Sequence, residues 1–165
     1  MKKNILETLT KNRSVGIPQI DAQHRRLNNL IGGLSEMCRN RVKVPEIPGE
    51  VYRTHNSQNR SSPQDIDFAI MVKQTLYYVN YHIKFKEKLM EETLYPALEE
   101  HKKFHDVFFA NFLKHIRAFE SREQFNPENL SVFLYDWFDS HFFMDMDMGL
   151  HIKKSRKNIR PNDRI

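Results

Sequence analysis

Apolar residues recur three and four positions apart in four stretches of this chain, with polar residues filling the positions between. The stripes run Ile20, His24, Leu27, Ile31, Leu34; then Val72, Leu76, Val79, His82; then Leu98, His101, His105, Phe108, Phe112; and last Leu130, Leu134, Trp137, His141, Met144. Side chains at that spacing share one face of an α-helix, so the pattern predicts four amphipathic helices and no sheet. Turn chemistry sets the boundaries. An irregular arm over 1–17, closed by Gly16, Ile17 and Pro18, leads into a helix from about Asp21, read as its cap, to Asn40. Ser62 followed by Pro63 is a cap and first-turn signature that opens a second helix reaching about Thr93. Tyr95 and Pro96 mark the next turn, a third helix runs from Pro96 to Ser121, and Asn126 with Pro127 starts a fourth that Gly149 is expected to stop.

The long connection lies between the first two helices, where Pro45, Pro48, Gly49 and several Ser and Asn residues interrupt any periodicity. His55 sits there without an apolar context and reads as a surface residue. The domain reading is an arm over 1–17, a bundle over 18–153 and a basic tail over 154–165.

Each of the four stripes contains histidine: His24, His82, His101 with His105, and His141. One histidine on a core face is ordinarily a hydrogen-bonded core residue. Five of them spread over all four helices point instead to a metal site, because neutral imidazole offers a lone pair to a transition metal and bundles build such sites from inward-facing side chains. His101 and His105, an i,i+4 pair on one face, carry the strongest local signal.

Composition narrows the class. A chain of 165 residues fits one domain with ample core. The formal charge of +5 comes from 26 basic and 21 acidic residues that are largely interspersed, which describes a solvated surface. The exception is the end, where Lys153, Lys154, Arg156, Lys157, Arg160 and Arg164 form a basic run read as a frayed terminus. It has no interleaved aromatics, so no nucleic-acid partner is expected. Cys38 is the single cysteine, which excludes an intramolecular disulfide and a thiolate cluster and fits a reducing cytoplasm. Polar residues break the N-terminal stretch before a signal-peptide core could form, and no apolar run is long enough to span a membrane.

Particular motifs add a resemblance. Ser14 to Leu27, reading SVGIPQIDAQHRRL, resembles the opening signature of the bacterial hemerythrin family. From His82 onward, HIKFKEKLMEETLYPALEEHKKFHDVFF resembles the second and third helices of that family, and Trp137 four residues before His141 resembles its fourth. The resemblance implies an all-α, antiparallel up-down-up-down four-helix bundle that holds two irons and binds dioxygen. It implies His24 and His82 as ligands of one iron, and His101, His105 and His141 as ligands of the other.

The same resemblance implies two bridging carboxylates, and both positions differ here. The glutamate position is Lys86 and the aspartate position is Met146. Two adjacent cations need anions between them, and Lys86 adds positive charge instead. Asp145, roughly 40° around and about 6 Å along from His141 on an ideal helix, is the best-placed replacement; Asp147 and Glu87 are the others, Glu87 only through a helix bulge. Three readings follow. One is a metal binder with a reduced site, holding a single iron, zinc or other divalent ion on His101, His105 and His141 with Asp145. Another is a working di-iron protein that binds dioxygen through shifted carboxylates. The third is a metal-free interaction module with Lys86 in the cavity. There is no activated nucleophile and no phosphate loop, so an enzyme is not expected; Trp137, Phe104, Phe108, Phe112, Phe142 and the Met144, Met146, Met148 series are read as packing.

Overall fold

The computed structural model describes residues 13–42, 62–121 and 125–158. Four helices are present among them: α1 Pro18–Val42, α2 Pro63–Glu92, α3 Leu98–Ser121 and α4 Pro127–Asn158, with no strand. Each helix packs against its neighbours in chain order and α1 closes the ring against α4, as an antiparallel four-helix bundle requires. His55, most of the long connection and the basic residues Arg160 and Arg164 lie outside the described residues.

Local chemistry explains the ends. Ser62 caps α2 through a reciprocal pair of bonds: its hydroxyl accepts from the Asp65 amide at 3.1 Å, and the Asp65 carboxylate accepts from the Ser62 amide at 3.2 Å. Arg41, in the last turn of α1, donates to Asp65 at 2.9 Å and to the Gln64 carbonyl at 2.8 Å, which fastens α1 to the start of α2. Asn126 caps α4 by accepting from the Glu128 and Asn129 amides at 2.8 and 3.2 Å. The α2–α3 turn closes with the Tyr95 amide bonded to the Met90 carbonyl and Leu94 in the left-handed region at φ 52°, a helix stop that ordinarily uses glycine.

Two expectations about helix ends are corrected. Asp21 does not cap α1, which begins at Pro18; its carboxylate instead accepts from the Ser14 hydroxyl at 2.6 Å and the Val15 amide at 2.8 Å, tying the arm to the first turn. Gly149 does not stop α4, which continues to Asn158 and carries Lys153, Lys154, Arg156 and Lys157 as helical residues. The reason for glycine there is close approach: a Cβ on Gly149 would stand 2.6 Å from the Val15 carbonyl oxygen. Val15 thus packs directly against α4 at Gly149, and Val15 and Ile17 are buried.

Two apolar clusters hold the bundle. The larger is built from Leu27, Ile31, Leu34, Phe68, Val79, Phe108, Phe112, Leu134 and Trp137 among others. The smaller gathers Val15, Ile17, Ile20, Met90, Tyr95, Phe142, Met148 and Ile152. On α1 and α4 the histidines fall between members of the two clusters, so a polar layer stands between the two apolar parts of the core. Within the methionine series, Met148 is fully buried whereas Met146 is 42 % exposed, so Met146 faces outward and does not pack the core. No described helix is long and apolar enough to cross a membrane.

Candidate metal centre

The polar layer collects all five histidines of the stripes, together with Lys86, Asp145 and Gln23, every one of them buried. Their ligand atoms fall into two groups, His101 with His105 and His141, and His24 with His82 and Asp145, each group spanning no more than 4.8 Å between atoms. The sequence reading placed Asp145 beside the three-histidine group. Its shortest imidazole contact is in the other: Oδ2 lies 2.8 Å from His24 Nε2, with His82 Nε2 at 3.7 Å and, from the first group, His141 Nδ1 at 3.5 Å. Oδ1 still faces the first group, 3.3 Å from His101 Nε2, so the carboxylate stands between the two.

The other two carboxylates considered as replacements do not enter the layer. Glu87 lies behind His105 and accepts from its Nδ1 at 2.9 Å, because without a bulge its position on α2 points past the interior. Asp147 is on the exposed side of α4, where it accepts from the Tyr95 hydroxyl at 2.8 Å. Asp145 is therefore the one carboxylate inside the layer among the described residues.

Lys86 fills the middle. Its Nζ is 2.7 and 2.9 Å from the two Asp145 oxygens and 2.7 Å from His141 Nε2, three acceptors for three ammonium protons. Burial lowers the Lys86 pKa while Asp145 acts the other way. Burial alone would raise the Asp145 carboxyl, but His141, Lys86 and hydrogen bonds from His101 and His24 outweigh it and hold it well below the usual carboxylate range. Burial first, then the Lys86 charge, pushes His82 down to about 3 and His105 down to about 2. His141 is lowered as well, chiefly by burial. These three imidazoles are thereby held neutral and keep a lone pair each.

Neutral imidazoles are ligands when their second nitrogen is held, because that bond fixes which nitrogen carries the lone pair. Glu87 does this for His105. Gln23 does it for His82, whose Nδ1 lies 2.8 Å from the Gln23 side-chain oxygen. His141 is held by its plane instead, stacked on Trp137 at 4.5 Å and on Phe104 at 5.8 Å between ring centres. Neither Gln23 nor the stacking role of Trp137 was read from the sequence. The only signals for them are a glutamine adjoining His24 and an aromatic four residues before His141.

These neighbours make the residues fit a metal ion. His141 Nε2 has Lys86 Nζ at 2.7 Å, His105 Nε2 at 2.8 Å and His101 Nε2 at 3.3 Å. One lone pair cannot serve three nitrogens, whereas a cation among them would serve every imidazole. His82 Nε2 is buried with no hydrogen-bond partner, which leaves an open lone pair in the second group too. The charge count differs from the donor count: one carboxylate and one lysine ammonium leave no anion to separate two divalent ions. Of the remaining histidines, His151 bonds the Thr93 carbonyl at 2.8 Å and holds the α2–α3 turn, and His115 rests against Phe133.

A four-helix bundle whose interior gathers imidazoles from all four helices around a carboxylate defines a class of cation-binding bundle proteins. Residues 15–146 match the family described as the hemerythrin HHE cation binding domain, and the chain belongs to that family. A relative, the bacteriohemerythrin of Stenotrophomonas maltophilia (strain R551-3), is 28% identical over 130 residues, covering 78% of this chain and 69% of the relative. No solved structure matches the chain significantly.

Proposed function

We propose that this bundle is a metal-binding protein that holds one divalent transition-metal ion, on Nε2 of His101, His105 and His141 with Asp145 as the neighbouring anion, and that Lys86 takes the place of a second cation. The observation that carries this reading is the crowding of three nitrogens around His141 Nε2, with His105 already fixed in its ligand form by Glu87. Iron is the metal the family suggests; three imidazoles and a carboxylate also suit zinc. When bound, the metal would supply a Lewis-acidic centre held by these residues. The protein's own residues orient the imidazoles, balance charge and exclude water. Binding, not catalysis, is the role proposed, and the single buried Cys38, its thiol raised to about 11 by burial, suits a reducing cytoplasm.

Calorimetric titration of ferrous iron and of zinc into apo-protein tests this. The expected result is one site per chain, lost in His105→Leu. Binding no tighter than millimolar would contradict it. A metal-free bundle is the second reading, supported by the three acceptors that Lys86 already has; it predicts that His105→Leu leaves stability unchanged or higher and that added metal raises it in neither protein. Reversible dioxygen binding, by analogy with the bacteriohemerythrin relative, is a further proposal. It is checked by whether the optical spectrum of iron-loaded protein changes on admitting dioxygen and reverts on removing it.

A further inference from the structure

Beside the polar layer, between α1 and α4, lies a cavity of about 220 Å³ lined by Arg13, His24, Arg25, Asn28, Asn29, Phe138 and Phe142. Three of these residues carry buried polar atoms with no partner: Arg13 Nη1, His24 Nδ1 and Asn28 Oδ1. His24 is 5 % exposed and Asn28 7 %, so bulk water does not readily satisfy them. Native interiors rarely leave such atoms unpaired, and a group of them on one cavity wall calls for an occupant.

The unpaired atoms specify its chemistry. Asp145 is a carboxylate, so His24 Nε2, 2.8 Å away, donates its proton to it; His24 Nδ1 then carries a lone pair and accepts. Asn28 Oδ1 also accepts. Arg13 Nη1 donates and is cationic. Asp139 engages only the other terminal nitrogen of Arg13, and Arg25 has no carboxylate partner among the described residues. Phe138 and Phe142 supply an apolar wall, and the Arg13 guanidinium lies over the Phe142 ring at 5.2 Å. The wall therefore offers cationic donors at one part and two neutral acceptors at another, which a simple anion would not use.

We infer that this cavity binds a small organic acid bearing a hydroxyl or amino donor, its carboxylate toward Arg13 and Arg25 and its donor toward His24 and Asn28. The volume is below the range of pockets for drug-sized ligands, about 300–1,000 Å³, and suits a molecule of a few carbons. This assignment rests on the proposed single metal position at His101, His105 and His141, which leaves the His24 proton on Nε2 toward Asp145 and its lone pair on Nδ1.

The probe is lactate, titrated into the full-length protein and followed by NMR at the imidazole of His24 and the side-chain amide of Asn28, with acetate as the control that lacks a donor. Lactate is expected to shift both signals saturably. Acetate is expected to bind about tenfold more weakly, as a site with buried acceptors discriminates against a ligand that cannot pair with them. Arg13→Gln and Asn28→Leu should each weaken lactate about tenfold. Arg13 precedes the first helix, so Arg13→Gln keeps the test valid even where Asn28→Leu disturbs packing, and circular dichroism verifies the fold of both. No saturable shift with lactate, equal binding of acetate, or undiminished binding by Arg13→Gln would overturn the assignment.

Discussion

The larger apolar cluster and the polar layer beside it are both buried, yet they are held by different physics. Around Phe108 the contacts are aromatic: Trp137 stacks at 3.9 Å and Phe133 at 5.4 Å between ring centres, with Phe68, Phe112 and Leu134 fully buried nearby. The aliphatic and phenyl side chains there gain by leaving water and need no particular partner. A turn away along the same helices, Lys86, Asp145 and the imidazoles each depend on one specific neighbour. The aromatic cluster degrades gradually when atoms are removed. The polar layer fails when one partner is removed, because what remains is an unpaired charge.

Asp145→Ala breaks this comparison most severely. It leaves the Lys86 ammonium buried with His141 as its main acceptor, a loss of about 3–5 kcal/mol, measured by urea unfolding. Adding Lys86→Met should recover most of that loss, since an apolar pair of similar volume in place of a buried ion pair is often neutral or stabilising. Phe108→Ala is expected to cost a similar amount, about 3–5 kcal/mol, without any second substitution that restores it. Failure of the double variant to recover would mean that Lys86 and Asp145 hold the layer by more than each other.

Acid separates the two regions next. His82 near 3 and His105 near 2 lie below the usual histidine value of 6.5. The unfolded chain therefore binds protons that the folded one refuses, and stability present above pH 6.5 is lost as the pH falls toward the folded values. Each of these histidines contributes up to about 1.4 kcal/mol per pH unit within that window. Unfolding of metal-free protein at pH 7 and pH 5 should show the loss. Phe108→Ala should lower stability by the same amount at both, because the aromatic cluster has no group that titrates there.

A smaller effect tests the orientation of the imidazoles. Glu87→Gln keeps the fold but weakens the hold on His105 Nδ1, and it should reduce metal affinity about 10–100-fold with little change in unfolding midpoint. Smallest of all is a control outside both regions. Leu94 is 85 % exposed and sits at φ 52°, so Leu94→Gly should raise stability by about 1 kcal/mol and leave metal binding unchanged.

Much of this comparison was legible in the order of residues. Helical periodicity located all four helices, and the histidines stood out because imidazole is unusual in an otherwise apolar stripe. The resemblance also drew attention to Lys86 on α2 as a position of interest. What could not be read were facts of approach and of orientation within a turn. Gly149 looks like a helix stop until Val15 is seen to need its space. Helix spacing singled out Asp145 among the three acids, but that it stands between the two histidine groups, that Glu87 backs His105 and that Asp147 meets Tyr95 follow only from packing. Gln23 lacked any periodic signal, since a residue beside the stripe becomes a partner only through the distance to another helix.

The central claim is that Lys86 has replaced one cation and left one metal position. It is tested most directly by the metal-to-chain ratio, measured by inductively coupled plasma mass spectrometry on untagged protein purified without chelator after growth with iron and zinc available. The account predicts a ratio near one. A ratio near two would show that the layer carries a pair of ions despite Lys86, and a ratio near zero would show that the lysine has replaced metal altogether; either would contradict it.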